Sequence, residues 1–155
     1  MTLLVDPKPY SSKESCALSL FHSGVKDEQS HAVSGEWRDL LKDQILDVCA
    51  ECQEENWNGE GAAPIRKDSI YQAFDFLKLL PDGIVEPEVS ADPSGFVLFD
   101  WRGDRNEMFS LSFEGDQISY AMRLGLRQKL HGLEPRSVEL PTIIEEILLS
   151  WFVKV

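Results

Sequence analysis

The stretch from Phe96 to Leu124 limits the fold most tightly. Phe109, Leu111 and Phe113 alternate with Ser110, Ser112 and Glu114, and Ile118, Tyr120, Met122 and Leu124 alternate with Ser119, Ala121 and Arg123. A period of two puts the apolar set on one side of a pleated strand and the polar set on the other. Gly115-Asp116 turns the chain between the two runs. Phe96-Val97-Leu98-Phe99-Asp100-Trp101, after the Pro93-Ser94-Gly95 turn, supplies a third run. The expectation is an antiparallel three-stranded meander with one apolar face, or a four-stranded one if Val89 starts an extra strand. An apolar face of that size needs a cover.

Three helices are expected to provide it. Trp37, Leu41, Ile45, Val48 and Cys52 recur at helical spacing, which predicts a helix from about 36 to 56 with Ser34 as its N-cap. Ile70, Phe74, Leu77 and Leu80, with Tyr71 and Ala73 beside them, predict a second over about 67 to 80, stopped by Pro81-Asp82-Gly83. Pro141 suits the first position of a last helix, whose face is Ile143, Ile144, Ile147, Leu148 and Trp151. Residues 125 to 140 read as polar and irregular around Gly125, Gly132 and Pro135. The fold class is therefore α+β, with three helices packed on one face of a small three- or four-stranded meander. Residues 1–34, with Pro7, Pro9 and scattered Ser, read as an N-terminal arm, and 35–155 as a single α+β domain. A chain of 155 residues suits one domain with a real core.

The formal net charge is −12. That balance speaks against direct binding to nucleic acid or to an anionic membrane, both of which require clustered Lys and Arg. It favours attraction to a basic partner. The opening MTLLVDPKPY has no basic leader region, and no apolar run is long enough for a membrane span. Three cysteines do not make a secreted disulfide framework, so a cytoplasmic setting is expected.

The segment NWNGEGAAPI, residues 56 to 65, admits two readings. One is a ligand-cradling loop. It lacks the Lys and Ser/Thr of a phosphate loop, Glu60 would repel an anion, and a helix rather than a strand precedes it. The other is a corner between helices, with Asn58 or Gly59 left-handed and Trp57 packed across it. This segment, with IYQAFDFLKLLPDG, GFVLFDW and FSLSFEGDQISYA, resembles a small bacterial and phage family sharing a loop close to Asn-Trp-Asp-Gly-x-Gly-Ala, followed by Pro-Ile. The resemblance covers about residues 50 to 125. It implies one compact domain and a bacterial or phage origin. The family carries no established activity, so no active site transfers. Asn58 stands where the family pattern has Asp, which removes a carboxylate from that position.

Asp39, Asp43, Asp47, Glu51 and Glu55 recur every four residues, and Glu36 and Glu54 join them on a side of the first helix next to the apolar one. Like charges at that spacing destabilise a helix slightly, and anions at its C-terminal end oppose the dipole. Leu40 and Leu46 fall at or within the acidic side. It is either a solvated face or a partner contact. Cys49 and Cys52 form a CxxC pair late in a helix, where buried core thiols fit better than redox or zinc chemistry. Cys16, His22, His31 and His131 stand at no zinc-finger spacing, so no metal and no cofactor are expected. Asp100, Asp104, Glu107 and Asp116 lie around strand ends, where carboxylates can do acid–base work but commonly shape turns. Arg123, Arg127, Lys129, His131 and Arg136 form a local basic patch.

The resulting expectation is a non-enzymatic binding module. Glu36, Asp39, Leu40, Asp43, Leu46, Asp47, Glu51, Glu54 and Glu55 would meet a basic protein surface, such as that of a nuclease or nucleic-acid binder. The rivals are a small hydrolase using the sheet-end carboxylates and a self-assembling structural subunit, a homo-oligomer.

Overall fold

The computed structural model describes residues 36–155. The expected arm, with Ser34, Cys16, His22 and His31, lies outside the described residues. The elements run α1 (Glu36–Glu51), α2 (Lys67–Leu77), β1 (Glu88–Ala91), β2 (Val97–Arg102), β3 (Met108–Phe113), β4 (Gln117–Leu124), β5 (Gln128–Pro135) and α3 (Thr142–Trp151). The strands form one sheet in the order β1-β2-β3-β4-β5, every neighbour antiparallel.

The class is α+β as expected, but the sheet has five strands rather than three or four. Val89 does sit in a short edge strand. The unexpected strand is β5, in the stretch read as irregular. Its residues are mostly exposed on both faces, so no burial imposes an apolar period on its sequence. It exists through its ladder to β4. Gly132 is part of that fit. It pairs with Tyr120, and a Cβ there would collide with the tyrosine ring and hydroxyl.

The helix ends differ as well. α1 stops at Glu51 rather than near Asn56, because the Cys52 carbonyl accepts the Ile65 N–H at 2.8 Å as the chain turns back. α2 stops at Leu77 rather than Leu80. Lys78 and Leu79 donate to the carbonyls three residues back, of Asp75 and Phe76, which tightens the last turn. Leu80 stays buried all the same.

Val97, Phe99 and Trp101 of β2, Phe109, Leu111 and Phe113 of β3, and Ile118 and Met122 of β4 point to one face and are buried. The helices bury Leu41 and Ile45, Ile70, Ala73, Phe76 and Leu77, and Ile144, Ile147 and Leu148 into the same core. Aromatic rings occupy its centre. Phe99 and Phe113 meet edge to face at 4.8 Å between centroids, and Phe76 lies 5.1 Å from Phe113. Trp101 stacks on Phe109 at 5.6 Å and donates its indole N–H to Val85 at 2.8 Å. Phe152, just past α3, stacks on Phe109 at 6.3 Å. It takes the buried place expected for Trp151, which is half exposed because the helix ends there and the chain leaves helical geometry at Phe152.

Two polar side chains in α2 join helix to sheet. Buried Ser69 accepts the Val97 N–H at 2.7 Å and donates to the Phe113 carbonyl at 2.5 Å. Buried Gln72 accepts the Gly115 N–H at 2.7 Å and donates to the Gln117 carbonyl at 3.1 Å. Each ties the helix to main-chain groups of the sheet and its turns.

Candidate binding surface on the first helix

α1 has two opposed faces. Leu41, Ile45, Val48 and Cys49 are buried, while Glu36, Asp39, Asp43, Asp47 and Glu51 are exposed on the far side. The acids stand opposite the apolar stripe rather than beside it. Leu40 lies among them and is 59% exposed. Leu46 is half-buried and packs on the core, so the structure places it at the border of the acidic side. Glu54 and Glu55 are exposed but belong to the turn after the helix.

Arg38 and Trp37 fix the orientation of this face. Arg38 donates to the carbonyls of Leu77 at 3.2 Å and Leu80 at 2.5 Å, and pairs with Asp82 at 2.9 Å. Its guanidinium also lies 4.3 Å from the Trp37 ring centre. The arginine on α1 thus caps the end of α2 and keeps its charge on the buried flank. Lys42 lies 3.6 Å from Asp39, a loose surface contact. The last turn of α1 holds no basic residue to balance Glu51 against the helix dipole.

The loop 56–65 is a corner. Asn56, rather than Asn58 or Gly59, is the first left-handed residue, at φ 60°, and Gly59 and Gly61 follow at 77° and 83°. The Asn58 side-chain oxygen accepts the N–H groups of Glu60 at 2.9 Å and Ala62 at 3.1 Å, and that of Asn56 accepts Gly61 at 2.6 Å. Trp57 closes the loop through its indole N–H on the Ala63 carbonyl at 2.8 Å. An aspartate at position 58 would accept the same two N–H groups. The corner is anchored to the β1–β2 turn by Ala63 N–H on Pro93 at 2.8 Å and Arg66 N–H on Gly95 at 2.8 Å.

The other candidates do not gather. Of the expected pair of core thiols only Cys52 is one, since Cys49 is disulfide-bonded; burial, with Glu51 adding to it, pushes the Cys52 pKa up. Among the described residues no group of three or more His, Cys, Asp or Glu could hold a metal ion. Asp104 and Glu107 flank β3 at one end and Asp116 at the other, about 20 Å away along a six-residue strand. The Glu107 carboxylate accepts the Arg105 N–H at 2.7 Å, and Asp100 on β2 accepts the Ser110 hydroxyl across the strands. These carboxylates shape turns and cross-strand pairs, and share no cleft.

Of the basic patch, Arg136 pairs with Asp75 at 2.7 Å. Arg123, Arg127, Lys129 and His131 are exposed on the β4–β5 hairpin. Sequence reasoning gave their charge but missed the strand that aligns them. The faint signal was Lys129, His131 and Leu133 alternating with Leu130 and Gly132. No helix among the described residues is long and apolar enough to cross a membrane. No family model matches the chain, and neither a curated protein nor a solved structure does.

Proposed function

We propose that the protein is a non-enzymatic binding module that applies the outer face of α1 to a basic surface of another protein. The observation that supports this reading is the exposed row Glu36, Asp39, Asp43, Asp47 and Glu51 with Leu40 set among the acids. Glu51 in the last turn opposes the helix dipole, and a leucine exposed inside a charged field gains most from a partner that covers it. Opposite charge speeds the encounter, and the leucine supplies desolvated contact once docked. Small bacterial or phage proteins of the antitoxin, immunity or anti-defence inhibitor type work this way, covering a basic cleft on a nuclease or nucleic-acid binder in the cytoplasm.

The test is a pull-down from bacterial lysate comparing the wild type with a triple variant, Asp43→Lys, Asp47→Lys and Glu51→Lys. The expected result is a basic protein retained by the wild type and lost by the variant, with the variant still folded by circular dichroism. Equal retention by both proteins would remove the proposal.

A further inference from the structure

Among the described residues one side of the sheet is uncovered. α1 packs beside β1 at one edge, while β5 forms the other edge with Gln128 to His131, Leu133 and Pro135 exposed. An edge strand turns the N–H and C=O of alternate residues outward, and a second chain can pair with them. Proteins usually guard such an edge with charged side chains, a bulge, a central proline or a covering loop, and of these β5 carries the charge of Lys129. β5 pairs with β4 in unbroken register along all eight residues, and its proline stands at the end. Leu130 is 46% exposed and Leu133 60%, on opposite faces of the strand.

The charge around this edge is opposite to that of the molecule. From Arg123 to Arg136 the chain holds Arg123, Arg127, Lys129 and Arg136 against Glu134 alone, within a protein of net charge −12. Among the described residues Arg123, Arg127 and Lys129 enter no ion pair. Beside the edge, on the face away from the helices, Met108, Ser110, Ala121, Arg123, Lys129 and His131 line a groove of about 200 Å³. Its floor is apolar or small and its rim is cationic.

We propose that the free edge of β5 takes an acidic extended segment of a partner protein by strand addition. Such a segment places a carboxylate next to Lys129 and Arg123, an apolar side chain next to Leu133 on the same face, and another next to Leu130 on the opposite face. A second copy of this chain is the poorer occupant. Pairing β5 with β5 would bring two basic runs together and join two molecules that each carry −12. The surface lies across the sheet from α1 and does not rest on the function proposed for that helix.

The probe is a fluorescein-labelled peptide of alternating Glu and Val, titrated into the full chain at low salt and followed by anisotropy. Saturable binding is expected. It should weaken at least ~10-fold in Arg123→Glu/Lys129→Glu and not weaken in the α1 triple variant, which is less acidic. A peptide of equal charge with prolines at alternate positions should not bind, because it cannot form the ladder. Hydrogen exchange should slow at residues 128–135 when the Glu/Val peptide is present. Several results would overturn the inference: no saturable binding, equal binding of the proline peptide, or no effect of the charge reversal in a variant with native circular dichroism. Tighter binding of an oligothymidine would assign the patch to nucleic acid instead, and a dimer by light scattering that excludes the peptide would assign the edge to self-association.

Discussion

Gly95 carries a φ of 89°, and a Cβ there would strike the Pro64 carbonyl oxygen. Gly95→Ala adds backbone strain to a collision between two main chains. A loss of about 2 kcal/mol or more is expected in urea unfolding. Gly59→Ala is the control, since Gly59 has a similar φ of 77° but open space around its Cβ, and about 1 kcal/mol is expected. Ser69→Ala tests a different kind of residue. It leaves the buried Val97 N–H without its acceptor and should cost about 1–3 kcal/mol. The positive φ at position 95 was legible from the Pro-Ser-Gly turn. The collision partner, thirty-one residues earlier in the chain, was not. Asp68 adds a pH effect. The hydrogen bond from Arg66 holds its carboxyl below the ordinary range, burial opposes this, and the Ser69 N–H and the charge of Arg66 add to the lowering. A depressed folded pKa contributes stability above the unfolded value, near ~3.9, and that contribution disappears as pH falls through the folded value. Urea unfolding from neutral pH into acid should therefore show a shallower acid limb for Asp68→Asn than for the wild type. The effect is small, because the Asp68 side chain is 47% exposed.

At the scale of elements, Arg38 gives α1 a polar tie to the end of α2 beside their shared core. Arg38→Lys keeps a charge but loses the fork that reaches Leu77 and Leu80 together. Denaturant unfolding of that variant should show a loss of about 1–2 kcal/mol, with the β-sheet signal intact until the global transition. Cys52 at the end of α1 gives a chemical readout of the same packing. A buried thiol with a raised pKa should react slowly with iodoacetamide in the native protein and rapidly in urea. The helices and the three central strands were legible because each has one buried face, and burial writes its period into sequence. β5 was not, since it buries neither face and takes its shape from β4.

The whole molecule is polarised, with acids on α1 beside the β1 edge and bases on the β4–β5 hairpin at the other. Amide exchange should follow burial across the sheet, slowest in β2 and β3 and fastest among the strands in β5. The double reversal Asp43→Lys and Glu51→Lys should leave urea stability unchanged or raise it by a few tenths of a kcal/mol, because cations suit a helix C-terminus. A clear loss of stability would mean that the acidic face serves the fold. The placement of the candidate surfaces shows how far sequence reaches. That α1 has an acidic stripe follows from the four-residue spacing alone. Leu46 turned to the core depends on how α1 docks, and Glu54 and Glu55 left in a turn depend on where the helix stops, which the Cys52–Ile65 hydrogen bond decides.

The sequence by itself determined the class, the three helices, the central strands and the acidic stripe of α1. These are properties of short segments whose apolar residues repeat at the period of the structure they form. Tertiary structure alone decided the fifth strand, the helix ends, the separation of the sheet-end carboxylates and the alignment of the basic residues on an open edge. Those depend on contacts between residues far apart in the chain, and no local period records them.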